Sequence, residues 1–155
     1  MSDEAIAWVV APLMVALFAT LWLIVGYAIT KLTAWADLER LFPDRPDAPI
    51  AGSLHFQGAY IGRETLGPSY RGCMTYRAGP EGFRLSIWKV FAPFAKPIFV
   101  PFDAVTVETV SLRLFTMCRL KLGPHGEIWL TIAPSVAREL ARLSKGAFAV
   151  QPEMK

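Results

Sequence analysis

The residues of this chain that could do chemistry are few, and their spacing supports none of the familiar reactions. His55 and His125 stand apart, with no second histidine, cysteine or carboxylate in a metal-ligand pattern around either. Ser53, Ser69, Ser86 and Ser111 lack the Gly-x-Ser-x-Gly setting of an esterase nucleophile. Gly52, Gly58, Gly62 and Gly67 are too scattered for a phosphate loop or a dinucleotide fingerprint. Glu81 and Asp103 fall in or beside turns, where carboxylates cap strands. Cys73 and Cys118 have no metal-like spacing and read as two small buried hydrophobes. The expectation is a protein that is not an enzyme and carries no cofactor or metal.

Binding chemistry is better represented. Arg63, Arg71, Arg77 and Arg84 fall on successive strand-like segments and their turns. If they converged, they would hold an anionic headgroup or an acidic patch on a partner, since guanidinium forks pair with phosphate and carboxylate. The alternative is a solvated sheet face. The segment Trp88-Lys89-Val90-Phe91-Ala92-Pro93-Phe94-Ala95-Lys96 sets large apolar residues between two lysines. Trp88, Lys89, Phe91, Phe94 and Lys96 could meet the lipid interface, with ammonium groups toward headgroup phosphates. They could equally meet an apolar patch on a partner protein, or fold back on the chain's own core.

All of these groups hang on one element. Ala5–Thr30 is a run of 26 residues without a charged side chain. At about 1.5 Å per residue it makes roughly 39 Å of helix, enough to cross a hydrocarbon core of about 30 Å. Its apolar residues run all the way round, which does not suit a surface helix of a soluble domain. Trp8 lies near one end and Trp22 and Tyr27 near the other, where amphipathic rings favour the headgroup layer; Trp35, a little beyond, is assigned to the same interface. Pro12 interrupts the backbone ladder within the run. The acidic start, Met-Ser-Asp-Glu, and the length of the run do not fit a cleaved secretory signal, so the helix is expected to stay in the mature protein.

Charge orients the span. All 16 Lys and Arg follow residue 30, against Asp3 and Glu4 before it, which places the N-terminus outside and the large C-terminal part in the cytoplasm. From Lys31 onward 16 basic and 11 acidic side chains leave a charge of +5. That balance favours an anionic membrane surface. With no dense Lys/Arg run and no recognition motif, it does not suggest nucleic acid.

The organisation follows in order. Residues 31–50 read as a juxtamembrane helix continuing out of the span, with Leu32, Trp35, Leu38 and Leu41 or Phe42 on one face, then a Pro-rich linker at Pro43, Pro46 and Pro49. Residues 51–146 carry about seven short strands. These are 53–60, 70–77, 82–89, 97–102, 104–110, 112–122 and 127–132, and a helix follows from Pro134. Within the first strand Leu54 and Phe56 share one face, and in the sixth Leu112, Leu114, Thr116, Cys118, Leu120 and Leu122 do. Residues 147–155 read as a loose tail. The fold class is α+β, a transmembrane helix followed by a small antiparallel β-barrel or sandwich with a C-terminal helix. That layout is pleckstrin-homology-like, with a five-stranded barrel or a meander packed on a helix as the alternatives.

The run Glu81–Thr106 holds a Gly-Phe-x-Leu-Ser strand at Gly82–Ser86, an aromatic Pro-containing loop and a Pro-x-Phe-x-Pro-Phe strand at Pro97–Phe102; Phe42-Pro43 precedes them. These features, best over residues 35–110, resemble bacterial single-pass membrane proteins of uncertain function whose soluble part is a pleckstrin-homology or GRAM-like domain. The resemblance implies anchoring in the inner membrane and brings no catalytic residues. The functional expectation is a scaffold or accessory subunit that contacts membrane lipid and a larger membrane protein complex. The alternative is a module that senses anionic lipid.

Overall fold

The computed structural model describes residues 2–63, 68–112 and 115–148. Helix α1 runs Asp3–Lys31. Ser2 opens it by accepting from the Ala5 N–H at 3.4 Å, and Asp3 and Glu4 place negative charge at its positive end. Among the described residues it is the one helix long and apolar enough to cross a membrane. Of its side only Gly26 and Thr30 are buried.

The chain does not run on as one helix beyond Lys31, as the periodicity predicts. Thr33 takes extended backbone, donates its hydroxyl to the Ile29 carbonyl and accepts from the Trp35 N–H, so it ends one helix and caps the next. Helix α2, Ala34–Leu41, therefore sets off in a new direction. Its apolar face is also narrower than expected. Trp35, Leu38 and Phe42 are buried, while Leu32 and Leu41 are exposed. The core of the β domain thus extends back to Trp35, ahead of the boundary expected near residue 50.

The Pro-rich stretch is fastened to the domain. Pro43 bridges Ile98, and the Phe99 N–H donates to the Phe42 carbonyl. Arg84 donates to Asp44 and to the Arg45 carbonyl, both at 2.6 Å, and the Arg45 guanidinium lies over the Phe99 ring. At Gly79 an added Cβ would fall 1.9 Å from the Pro49 carbonyl oxygen, so only glycine lets the linker lie this close.

Seven strands form one antiparallel sheet: β1 (Gly52–Gly62), β2 (Ser69–Ala78), β3 (Gly82–Ile87), β4 (Ile98–Pro101), β5 (Val105–Leu112), β6 (Phe115–Leu122) and β7 (Ile128–Ile132). Their spatial order is β4-β3-β2-β1-β7-β6-β5. Alternation decides which side is inside. Phe83, Leu85 and Ile87 on β3, Cys118, Leu120 and Leu122 on β6, and Ile128, Leu130 and Ile132 on β7 all face the core. The edge strands β4 and β5 are consecutive in the chain, joined only by a 3-10 turn at Phe102–Ala104. A flat seven-stranded sheet would hold its edges roughly 29 Å apart at about 4.8 Å per strand, beyond the reach of so short a link. The sheet must curl until its edges approach. Helix α3, Pro134–Leu143, then buries Val136, Ala137, Leu140 and Leu143 against it.

Three local readings of the sequence are corrected. Phe56 does not share a face with Leu54. It has a φ of 57°, and the β1–β2 register shifts on either side of Gln57, so a bulge turns its ring outward. The single alternating strand expected over 112–122 is the end of β5 and the whole of β6. Thr116 is exposed there, and Leu114 lies outside the described residues. The tail is not loose at its start. The Phe148 N–H donates to the Ser144 hydroxyl at 3.0 Å, and its buried ring stacks 5.4 Å from Phe102; residues 149–155 lie outside the described residues.

Since Trp35 has no exposed surface, Trp35→Ala is expected to cost about 3–5 kcal/mol of domain stability. Denaturant unfolding of the detergent-solubilised chain, followed by far-UV circular dichroism, measures it. A loss below about 1 kcal/mol would show that α2 is not part of the core.

Candidate membrane-facing site

The segment after β3 inverts the usual burial. Ala92 and Ala95 are buried, while Trp88, Val90, Phe91 and Phe94 are exposed. Turn geometry causes this. The N–H groups of Phe91 and Ala92 both donate to the Trp88 carbonyl, and that of Ala95 donates to Ala92. Two successive tight turns direct the small residues inward and the large ones out. The strand ends at Ile87, and Trp88 opens the loop with its N–H still donated to the Cys73 carbonyl of β2 at 2.9 Å. The outward Phe56 ring meets Trp88 at 4.7 Å between centroids, which the alternating pattern of β1 does not foretell.

The loop is docked on α1. Trp22 Nε1 donates to the Val90 carbonyl at 2.7 Å. Tyr27 and Phe94 meet edge to face with ring centroids 6.0 Å apart. Between them Pro93 lies against Gly26, where an added Cβ would sit 2.7 Å from the proline Cδ. Ala92 and Ala95 thus join the domain core, while the large side chains of the loop neither fold into it nor stand free. The loop lies along the last three turns of the long helix and leaves one apolar flank uncovered.

Glu39, which sequence reasoning passed over, fastens this arrangement. Its Oε1 accepts from Trp35 Nε1 at 3.1 Å and from the Lys96 N–H at 2.9 Å, and its Oε2 pairs with Lys31 Nζ at 3.4 Å. One carboxylate joins the end of α1, the start of α2 and the end of the loop. No spacing in the sequence announces this, because Lys96 lies 57 residues away. Lys89 turns back and donates Nζ to the Ala95 carbonyl at 2.5 Å, closing the loop from inside.

Of the four arginines singled out in the sequence, Arg77 and Arg84 are brought opposite each other and the others stand apart. Arg63 pairs with Asp37 on α2, which also holds Arg40. Arg84 is held by the linker, while exposed Arg77 stands opposite it across the β2–β3 ladder. Arg71 sits at the rim of a groove of about 320 Å³ lined by Ile29, Thr33, Tyr70, Ile87, Phe91 and Ala92. The four arginines therefore do not form a single patch. Trp8 is fully outward near the N-terminal end of α1, and Trp22 and Tyr27 lie at the loop. Trp35, assigned from sequence to the membrane interface, is instead enclosed by the domain against Tyr70, because α2 turns away at Thr33.

His55 Nε2 is 3.2 Å from the Ser53 hydroxyl, but its Nδ1 faces the Thr75 hydroxyl and not an orienting carboxylate. Burial pushes the Cys73 and Cys118 thiols up, away from the nucleophilic thiolate form. Among the described residues no three His, Cys, Asp or Glu side chains cluster as metal ligands. The chain matches no family model, no curated protein and no solved structure.

Glu39→Ala strands two donors and a lysine, and is expected to cost about 2–4 kcal/mol, with Glu39→Gln losing less because one acceptor oxygen remains. Hydrogen exchange of residues 88–96 in the full chain reads the local effect. At least a roughly tenfold faster exchange is expected for the alanine variant, and unchanged exchange would show that the carboxylate does not hold the loop.

Proposed function

We propose that this chain is a membrane-anchored, non-enzymatic scaffold or accessory subunit that binds and stabilises a membrane protein assembly at the cytoplasmic face of a bacterial inner membrane. The observation that carries the reading is the docking of the Trp88–Lys96 loop on α1 through Trp22, Gly26 and Tyr27. A domain joined to its anchor by a flexible linker samples every orientation. One bolted to its anchor presents a fixed surface at a fixed height, which suits a structural partner.

Two further features support it. The most apolar stretch of α1 is almost wholly uncovered by its own chain. Pro12 has no N–H, so the Trp8 carbonyl lacks its helical donor, an arrangement that membrane helices tolerate best beside a neighbouring helix. The soluble part is read as pleckstrin-homology-like on its seven-strand order, its curled sheet and its closing helix. The charge asymmetry across α1 supports a cytoplasmic domain.

The second reading, a sensor of anionic lipid, draws on the +5 charge after residue 30. Two of its four arginines, Arg63 and Arg84, already hold carboxylates of this chain. Lipid binding of that kind would fall steeply with ionic strength, whereas a packed subunit interface would survive it.

Purification of the tagged full-length chain in mild detergent, at low and at high salt, tests the proposal, beside a chain lacking residues 1–30. The expected outcome is one membrane complex in stoichiometric amount, retained at high salt and lost without the helix. Recovery of lipid alone would overturn it.

A further inference from the structure

Trp22 fixes how deep the loop reaches. A hydrocarbon core of about 30 Å takes about 20 helical residues, and the charge-free run of α1 spans residues 5–30. Such a segment can slide from residues 5–24 to residues 11–30, and Trp22 lies inside it at every position. On the membrane reading, the Trp22 Cα therefore sits between about 3 and 12 Å below the hydrocarbon boundary on the domain side, deeper than the headgroup layer expected from the sequence. The Val90 carbonyl, hydrogen-bonded to the Trp22 indole, is held within one side-chain length of that level.

On the membrane reading of α1 given above, we infer that the Trp88–Phe94 loop is a membrane-inserted wedge, with the side chains of Val90 and Phe91 among the acyl chains of the leaflet that faces the β domain. The chemistry of the loop fits that medium. Val90 is 64% and Phe91 54% exposed; Phe56 and Trp88, in contact with each other, and Phe94, against Tyr27, are exposed beside them. Buried polar atoms in lipid must find partners within the protein. The Trp22 indole N–H and the Val90 carbonyl satisfy each other, the turn N–H groups close on Trp88, and Lys89 turns its ammonium back onto the Ala95 carbonyl. Lys96 and Glu39 mark the level at which the polar surface resumes. Depth selects lipid as the occupant, because Val90 is hydrogen-bonded to Trp22 within the charge-free run of α1.

The test uses the full-length chain in vesicles of phosphatidylcholine and phosphatidylglycerol whose acyl chains carry bromine. An environment-sensitive fluorophore is attached at Val90→Cys, at Val15→Cys in the middle of α1, or at Lys145→Cys beyond α3; the native cysteines are buried, and the unsubstituted chain is the labelling control. The label at position 90 is expected to be quenched to within about twofold of that at position 15, with position 145 unaffected. A second variant, Phe91→Cys, is expected to follow position 90. Quenching at 15 with positions 90 and 91 as unaffected as 145 would overturn the wedge and leave the span standing. Absence of quenching at 15 would overturn the membrane reading itself, and the wedge with it.

Discussion

The Glu39 carboxylate is the point on which the arrangement turns. A long apolar helix, a short amphipathic one and an aromatic loop meet there, and each contributes one cation or donor to the same side chain. Its side chain is 11% exposed, so its charge is largely removed from water, which is tolerable only because three partners replace the solvent. Lys31 supplies the compensating charge, and the Trp35 and Lys96 N–H groups supply direction. A flexible neutral side chain in its place would leave the loop held at its helix side alone.

The β domain prepares the other half of that junction. The bulge at Phe56 breaks the alternation of β1 in the middle; the strand stays paired with β2 from Gly52 to Tyr60, and its last residues, Tyr60–Gly62, pair with β7 on the other side. The same irregularity gives the strand its bend and turns an aromatic ring out against Trp88. Phe56 holds left-handed backbone without being glycine, a conformation of modest cost that the surrounding pairing must sustain. Sheet curvature and the apolar flank of the loop thus come from one local feature.

The elements themselves were legible in the sequence. Period-two alternation in β3 and β7, the Pro at the start of α3 and the uncharged run of α1 each reflect a local preference that agrees with the final packing. What could not be read depends on contacts between distant residues. Thr33 breaks the helix because its hydroxyl competes for backbone, a choice that Lys31–Phe42 periodicity conceals. Trp35 looks like an interfacial ring until the direction of α2 is known. The same holds for the candidate site. The composition of Trp88–Lys96 marked it as a surface worth attention, and its placement against Trp22, Gly26 and Tyr27 rests on pairs more than 60 residues apart. The arginines illustrate the converse, since spacing along strands put them near one another while carboxylates on α2 and the linker drew two of them away.

The break at Thr33 also has a mechanical meaning. A helix that ended in a loose tether would let the domain swivel, and its compass bearing in the plane of the membrane would be random. Here the Trp88–Lys96 loop docks on the long helix and ties the β domain to it, in the manner of a key and its bow. One residue of register along an α-helix is about 100° of rotation, so a neighbour of the proposed kind, seated on the bare side of α1, would also set the direction in which the domain points. Small adjustments of packing along the shaft become large lateral sweeps of the domain beyond it.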